Sequence, residues 1–241
     1  MVGDIDFIFS PEDYPKAIEL LENYGYTHNY KIDKLLNKKP RHYPRLTHKN
    51  KIAAIEIHKE LLSESYRKVF NYNFIKDSTQ RIQGVSVLSF KNQLSLSIVA
   101  SQINDSGFEY KNLALRNAYD VFLLSKKTIA KNTFKKFNRL EHPLNCFLAS
   151  CFEVFNKPKT LQYTSSKKIE KYLIVFNKFL NNRGLYSNNY EKIINKKAIL
   201  LRFTIIYKSF FYKEYRVWLF KRITDKNWRK EKLIQLGLKK P

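Results

Sequence analysis

The sequence is poor in glycine and cysteine, and each shortage narrows what the protein can be. Only six glycines occur among 241 residues and none of them cluster, so the chain contains no glycine-rich phosphate-binding loop. The two cysteines, Cys146 and Cys151, stand in an apolar stretch, which fits buried free thiols in a reducing compartment better than a disulfide framework. The N-terminus carries no secretory signal, and the expected location is therefore the cytoplasm.

Long hydrophobic runs are also lacking. The most apolar stretch, residues 198–212, includes Arg202 and Lys208 and falls short of the roughly 20 residues that a membrane-spanning helix needs. The chain is nevertheless 44% hydrophobic and 15% aromatic, which is enough for one large or two modest domains with buried cores. The sequence therefore predicts a protein without a transmembrane segment.

Acidic residues are scarce, chiefly in the second half of the chain. The sequence holds 45 Lys and Arg against 21 Asp and Glu, a formal net charge of +24. Residues 1–125 contain 17 basic and 14 acidic residues, whereas residues 126–241 contain 28 and 7. We therefore predict two domains, 1–125 and 126–241, the second of them basic and, from its apolar spacing, helical.

The positive charge of the second half favours a phosphate-rich partner, either nucleic acid or an anionic membrane surface. A lysine excess is also typical of AT-rich coding DNA, and no recognised nucleic-acid-binding motif is present. The candidate polyanion-binding residues are Lys192, Lys196, Lys197, Lys221, Arg222, Arg229 and Lys230.

Two carboxylates stand one residue apart near the start of the chain. On a strand, side-chain alternation places Asp4 and Asp6 on one face and points Ile5, Phe7 and Phe9 into a core. A hard divalent cation such as Mg²⁺ suits such a pair, because it takes one or two carboxylates and fills its other positions with water and phosphate oxygens. The polar side of an ordinary amphipathic strand gives the same pattern.

The following segments have equally clear local signals. A capping pattern beginning at Ser10 predicts a helix that ends at Gly25. Residues 41–48 and 51–58 read as two strands joined by a turn at Lys49-Asn50. Glu56 is a single acid in the second of these strands. It is either a third carboxylate beside the first two or a solvent-facing residue of an edge strand.

Four segments carry a resemblance to the nucleotidyltransferase-fold superfamily: D-I-D-F-I-F, P-E-D-Y-P-K-A-I-E-L-L-E-N-Y-G-Y, H-Y-P-R-L-T-H and I-A-A-I-E-I-H-K-E-L. Within it, they are most similar to a poorly characterised bacterial family often linked to cell-surface polysaccharide genes. The similarity covers about residues 2–125. It implies an α+β fold, with a small mixed β-sheet and flanking helices followed by a basic all-helical region.

The resemblance also implies an activity and its residues. Asp4 and Asp6 match the family's metal-binding pair, Glu56 matches its third acid, and His58 matches a histidine that commonly follows this acid. These acids would bind Mg²⁺ or Mn²⁺ and catalyse transfer of a nucleoside monophosphate from a nucleoside triphosphate to an acceptor that the sequence does not identify.

Further residues are candidates for holding the nucleotide phosphates. These candidates are Lys39, Arg41 and Arg45, together with His58 at the end of the last predicted strand, although a solvated basic loop explains the cations equally well. The histidines at positions 42, 48 and 58 match no zinc-ligand spacing and favour hydrogen-bonded strand or surface residues.

The family's Gly-Ser turn, which precedes the acidic strand and holds the phosphates, has no counterpart here, because the chain starts two residues before the glycine that introduces the strand. We therefore expect the 1–125 domain to be N-terminally incomplete, and two interpretations remain. Either the natural protein begins earlier, or this is a remnant whose chemistry is weakened. The alternative function is a non-catalytic basic protein that keeps the fold and binds nucleic acid or another polyanion.

Overall fold

A computed structural model describes residues 4–28, 41–134, 137 and 139–235 of the chain. They form an α+β protein with two small sheets and a helical C-terminal region, which confirms the predicted fold class. The strands are β1 (Ile5–Ile8), β2 (Ile55–His58), β3 (Thr79–Ile82) and β4 (Val85–Leu88). The helices are α1 (Tyr14–Asn23), α2 (Tyr72–Ile75), α3 (Phe90–Val99), α4 (Gly107–Tyr110), α5 (Leu115–Ser125), α6 (Glu141–Val154), α7 (Lys167–Asn181), α8 (Arg183–Phe211), α9 (Lys213–Thr224) and α10 (Lys226–Gln235).

The first helix begins and ends where the sequence predicts. The hydroxyl of Ser10 accepts a hydrogen bond from the backbone N–H of Asp13 at 3.1 Å, and so provides a partner for an amide at the helix start. Gly25 follows the helix with φ +84°, a left-handed conformation that glycine adopts without steric cost.

The first sheet is mixed. β1 pairs in parallel with β2, and the segment before β2 runs antiparallel to it through bridges from His42 to His58 and from Leu46 to Ile55. Leu46 and Ile55 exchange two backbone hydrogen bonds of 2.9 Å. The predicted antiparallel pairing and the turn at Lys49-Asn50 are therefore confirmed. The predicted strand lengths are wrong, because residues 41–48 form isolated bridges and the second strand begins only at Ile55.

A small core fills the space between this sheet and α1. Ile57 and Leu46 are fully buried in it. The expectation that Ile5, Phe7 and Phe9 all point into a core is wrong for two of them. Phe9 packs against the cluster, but Ile5 and Phe7 remain 46% and 38% exposed. Among the described residues β1 has a paired neighbour on one side only, and an edge strand leaves part of its apolar face uncovered.

The main core lies among α3, α5 and α6. Leu94, Val121 and Phe147, one from each helix, are fully buried there. Residues on both sides of position 125 thus share one core. The change in net charge at residue 125 therefore does not mark a boundary between two cores. The division into 1–125 and 126–241 stays a prediction about domains. The described residues separate into two compact units whose sequence boundary lies between Tyr186 and Ser187.

The second unit is helical and basic, as the sequence predicts. It contains most of α8 together with α9 and α10. The guanidinium of Arg216 on α9 donates to the carbonyls of Ser209 and Phe210, both at 3.2 Å, and so satisfies two acceptors at the end of α8. None of the helices in the described part of the chain combines the length and the apolar character that crossing a membrane requires.

Candidate metal centre

Parallel pairing of β1 with β2 brings two of the three predicted acids side by side. The strand register pairs Asp6 with Glu56. Since strand side chains alternate, His58 follows Glu56 on the same face of β2 two residues later. One ligand atom from each of Asp6, Glu56 and His58 lies within 4.8 Å of the other two. No other group of three such side chains occurs among the described residues.

The imidazole of His58 links the two carboxylates. Its Nε2 lies 3.0 Å from Oδ1 of Asp6 and 3.5 Å from Oε2 of Glu56. The hydrogen bond from His58 lowers the pKa of Asp6, partial burial opposes this, and positive charge on His58, His42 and Arg41 lowers the pKa further. Asp6 is therefore held in the ionised form that metal binding requires.

His42 is a further residue of this cluster, and the sequence did not assign it to the site. Its ring centroid lies 5.0 Å from that of His58, and its Nδ1 lies 3.9 Å from Oε2 of Glu56. The same nitrogen is 2.8 Å from the carbonyl oxygen of Tyr43. The predicted hairpin did not supply this signal, because a two-residue turn at Lys49-Asn50 sets position 42 opposite position 57, whereas the structure pairs His42 with His58.

Asp4 stands apart from this cluster. It precedes β1, and its carboxylate forms an ion pair with the guanidinium of Arg45. The structure therefore brings Asp6 and Glu56 together with His58, while Asp4, the other half of the acidic pair, is held by an arginine. The catalytic and metal-binding roles of Asp4, Asp6 and Glu56 stay predictions.

Two of the four phosphate-binding candidates are arginines near the acids. Arg45 contacts Asp4. Arg41 contributes positive charge at Asp6 and donates through Nη1 to the carbonyl of Leu61 at 3.4 Å. His58 belongs to the cluster itself, and Lys39 lies outside the described residues.

The donor set fits a small divalent cation. Two carboxylates suit Mg²⁺ or Mn²⁺, and an imidazole nitrogen is a further ligand or a hydrogen-bonding partner that orients them. The side chain of Asp6 is 67% exposed, whereas that of His58 is only 14% exposed. A cation at this edge of the sheet would therefore keep positions open for substrate oxygens.

The seven basic candidates of the second half all lie on helices of the second unit. Lys192, Lys196 and Lys197 are on α8, and the rest are on the two helices that follow. Arg222 lies over the ring of Trp218, with 5.5 Å between its guanidinium carbon and the ring centroid. Polyanion binding by these residues stays a prediction.

The comparison with protein families agrees with this geometry. The model of the uncharacterised nucleotidyltransferase family matches residues 1–154, which run through the end of α6. The chain therefore belongs to the uncharacterised nucleotidyltransferase family, and the resemblance noted from the sequence is confirmed. No curated protein and no solved structure matches the chain.

Proposed function

We propose that this protein is a metal-dependent nucleotidyltransferase that moves a nucleoside monophosphate from a nucleoside triphosphate to an acceptor hydroxyl. The observation that carries the proposal is the cluster of Asp6, Glu56 and His58 on adjacent parallel strands, in a chain that belongs to a nucleotidyltransferase family. The chemical identity of the acceptor is left open.

In this proposal Asp6 and Glu56 hold Mg²⁺ or Mn²⁺, and Asp4 joins them when its ion pair with Arg45 opens. A cation held by these carboxylates would supply charge neutralisation and alignment for the phosphate oxygens. His58 keeps both carboxylates oriented through its contacts of 3.0 and 3.5 Å, so that little reorganisation is needed when substrate arrives.

The protein side chains have distinct tasks in the transfer. Arg41 and Arg45 provide positive charge for the triphosphate, and Arg45 exchanges the carboxylate of Asp4 for a phosphate oxygen. The acceptor oxygen forms a bond to the α-phosphorus while the bond from that phosphorus to pyrophosphate breaks. The acceptor proton passes to Glu56, whose side chain is 22% exposed and therefore partly shielded from water.

The test is a binding screen followed by a variant comparison. The four nucleoside triphosphates are each added with Mg²⁺ or Mn²⁺, and the unfolding temperature is measured. We expect at least one nucleotide to raise it only when metal is present, and Asp6→Asn and Glu56→Gln to abolish the increase. Glu19→Gln is the control, because Glu19 is an exposed acid on α1 outside the cluster.

The same screen judges the alternative function, a non-catalytic basic protein that binds polyanions. That alternative rests on the 28 basic residues against 7 acidic ones in residues 126–241. Nucleotide binding that persists without metal, and in both acid variants, would support it and contradict the transferase.

A further inference from the structure

The second unit presents an apolar surface that its own packing does not cover. Over its last three to four turns, and besides the 54% exposed Leu200, α8 directs six large side chains outward on one side, namely Ile199, Phe203, Ile206, Tyr207, Phe210 and Phe211. Each is between 46% and 73% exposed. We call these residues the apolar face of α8.

The six side chains form one stripe rather than a scatter. At about 100° per residue they fall within an arc of roughly 140° around the helix axis. Part of the opposite side of the helix is packed, since Ile205 and Ser209 are only 9% and 8% exposed. With aromatic side chains of about 150–250 Å², the face amounts to an area on the order of 500 Å², at the upper end of what a monomer leaves in water.

Cations are placed where anionic head groups would meet this face. Lys192 and Lys196 continue the line of Ile199, Phe203 and Phe210 towards the start of α8, at spacings of three and four residues. Both lysines are exposed, and Arg202 stands at the edge of the arc. Aromatic and aliphatic side chains on one face, with Lys and Arg in line and at its border, are typical of helices that lie in a bilayer interface.

We propose that the apolar face of α8 binds the surface of a membrane containing anionic lipid. A second copy of the chain is the less favourable occupant, because residues 187–235 hold 13 Lys and Arg against 4 Asp and Glu, and two such units repel each other. A nucleic acid would satisfy the lysines but would offer no hydrocarbon to bury the aliphatic part of the face. An anionic bilayer satisfies both.

The first test is co-sedimentation of the full chain with vesicles of phosphatidylglycerol mixed with phosphatidylcholine, or of phosphatidylcholine alone. We expect binding to the anionic vesicles in low salt and release in high salt, where charge is screened within about 3 Å. Phe203→Ser and Phe210→Ser should each lower the partition coefficient about tenfold, the loss expected for one large apolar side chain.

Leu201→Ser is the matched control. Leu201 is also on α8 and is 54% exposed, but it lies about 80° outside the arc at 100° per residue. The Leu201→Ser variant should bind vesicles as strongly as the unmodified protein does. Because all three positions are exposed, the variants are expected to fold, and circular dichroism verifies this.

A second measurement locates the contact directly. In a background with Trp218→Phe and Trp228→Phe, which removes both native tryptophans, Phe210→Trp and Leu201→Trp are compared in vesicles with brominated acyl chains. We expect quenching at position 210 and little at position 201.

Several results would overturn the proposal. Equal vesicle binding by the Phe203, Phe210 and Leu201 variants would do so, as would the absence of vesicle binding. A dimer that dissociates in the Phe203 and Phe210 variants would assign the face to a second copy. Single-stranded RNA binding that these variants lose, without vesicle binding, would assign it to nucleic acid.

Discussion

Glu56→Gln separates a metal-binding role of this acid from a structural one. The change keeps the size of the side chain but removes its charge. Ligand atoms of Asp6, Glu56 and His58 lie within 4.8 Å of one another. Two unit charges at that distance repel by about 1 kcal/mol in water and by about 3.5 kcal/mol at the effective dielectric of a protein surface. Asp6 is mostly exposed, so the lower value applies.

In the absence of metal, Glu56→Gln removes the repulsion between the carboxylates of Asp6 and Glu56. It also removes the negative charge that attracts His58, and the two effects oppose each other. The free energy of unfolding should therefore change by less than about 1 kcal/mol. The metal-bound protein should behave differently. A cation present at 100 times its dissociation constant stabilises the unmodified protein by about 2.7 kcal/mol, or roughly 5–10 °C for a chain of this size.

Differential scanning calorimetry with and without Mn²⁺ measures both effects and resolves separate transitions of the two units. We expect Mn²⁺ to raise one transition of the unmodified protein and of Glu19→Gln by several degrees. The rise in Glu56→Gln should be only about 1–2 °C, which corresponds to about a hundredfold loss of affinity. An equal rise in Glu56→Gln would refute the assignment of this acid to the metal centre.

Three further predictions concern the site and its support. Arg45→Gln frees Asp4 and should raise Mn²⁺ affinity while lowering nucleotide affinity, as measured by calorimetric titration; a fall in both would contradict the exchange proposed for Arg45. Gly107→Ala would place a Cβ 2.7 Å from the carbonyl oxygen of Ser101 and should cost about 1–3 kcal/mol of unfolding free energy in urea, and an unchanged midpoint would contradict this. Because the pKa of Asp6 is lowered in the folded protein, its ionised carboxylate stabilises the folded state. This contribution is complete above the ordinary aspartate pKa and is lost as the pH falls through the lowered pKa. In that pH range the unfolding free energy of Asp6→Asn should therefore fall less steeply with decreasing pH than that of the unmodified protein. The difference should be less than about 1 kcal/mol, because the side chain is exposed. An equally steep fall in the two proteins would contradict this prediction.

Local signals in the sequence were sufficient for the elements around the site. The capping pattern and Gly25 fixed the ends of α1. The Lys49-Asn50 turn predicted the antiparallel direction of the pairing but not its register, since it sets position 42 opposite position 57 rather than His58. These features depend on neighbouring residues, which is why spacing alone predicts them.

Long-range geometry was harder to predict. The parallel register that sets Asp6 beside Glu56 joins segments fifty residues apart. From its residues alone the sequence left two interpretations of Glu56 open, and the family resemblance favoured the one that sets it beside the acidic pair. The ion pair of Asp4 with Arg45 is a tertiary contact with no local signature. The alternation of side chains along β1 predicted which of them share a face. It did not predict whether other elements pack on that face, and the exposure of Phe7 was missed for this reason.

The change in net charge at residue 125 also failed to predict where one core ends. Net charge describes the surface, whereas packing is decided by apolar side chains on both sides of the step, such as Val121 and Phe147 in one core. A change in net charge along the sequence therefore does not predict where a core ends.

The most direct test of the metal centre is a crystal of the protein soaked in Mn²⁺, with data collected to record anomalous scattering. We expect a peak about 2.0–2.6 Å from carboxylate oxygens of both Asp6 and Glu56, with His58 as a ligand or a hydrogen-bonded neighbour. A crystal in which Mn²⁺ binds elsewhere, or in which no anomalous peak lies beside these carboxylates at saturating Mn²⁺, would contradict the account.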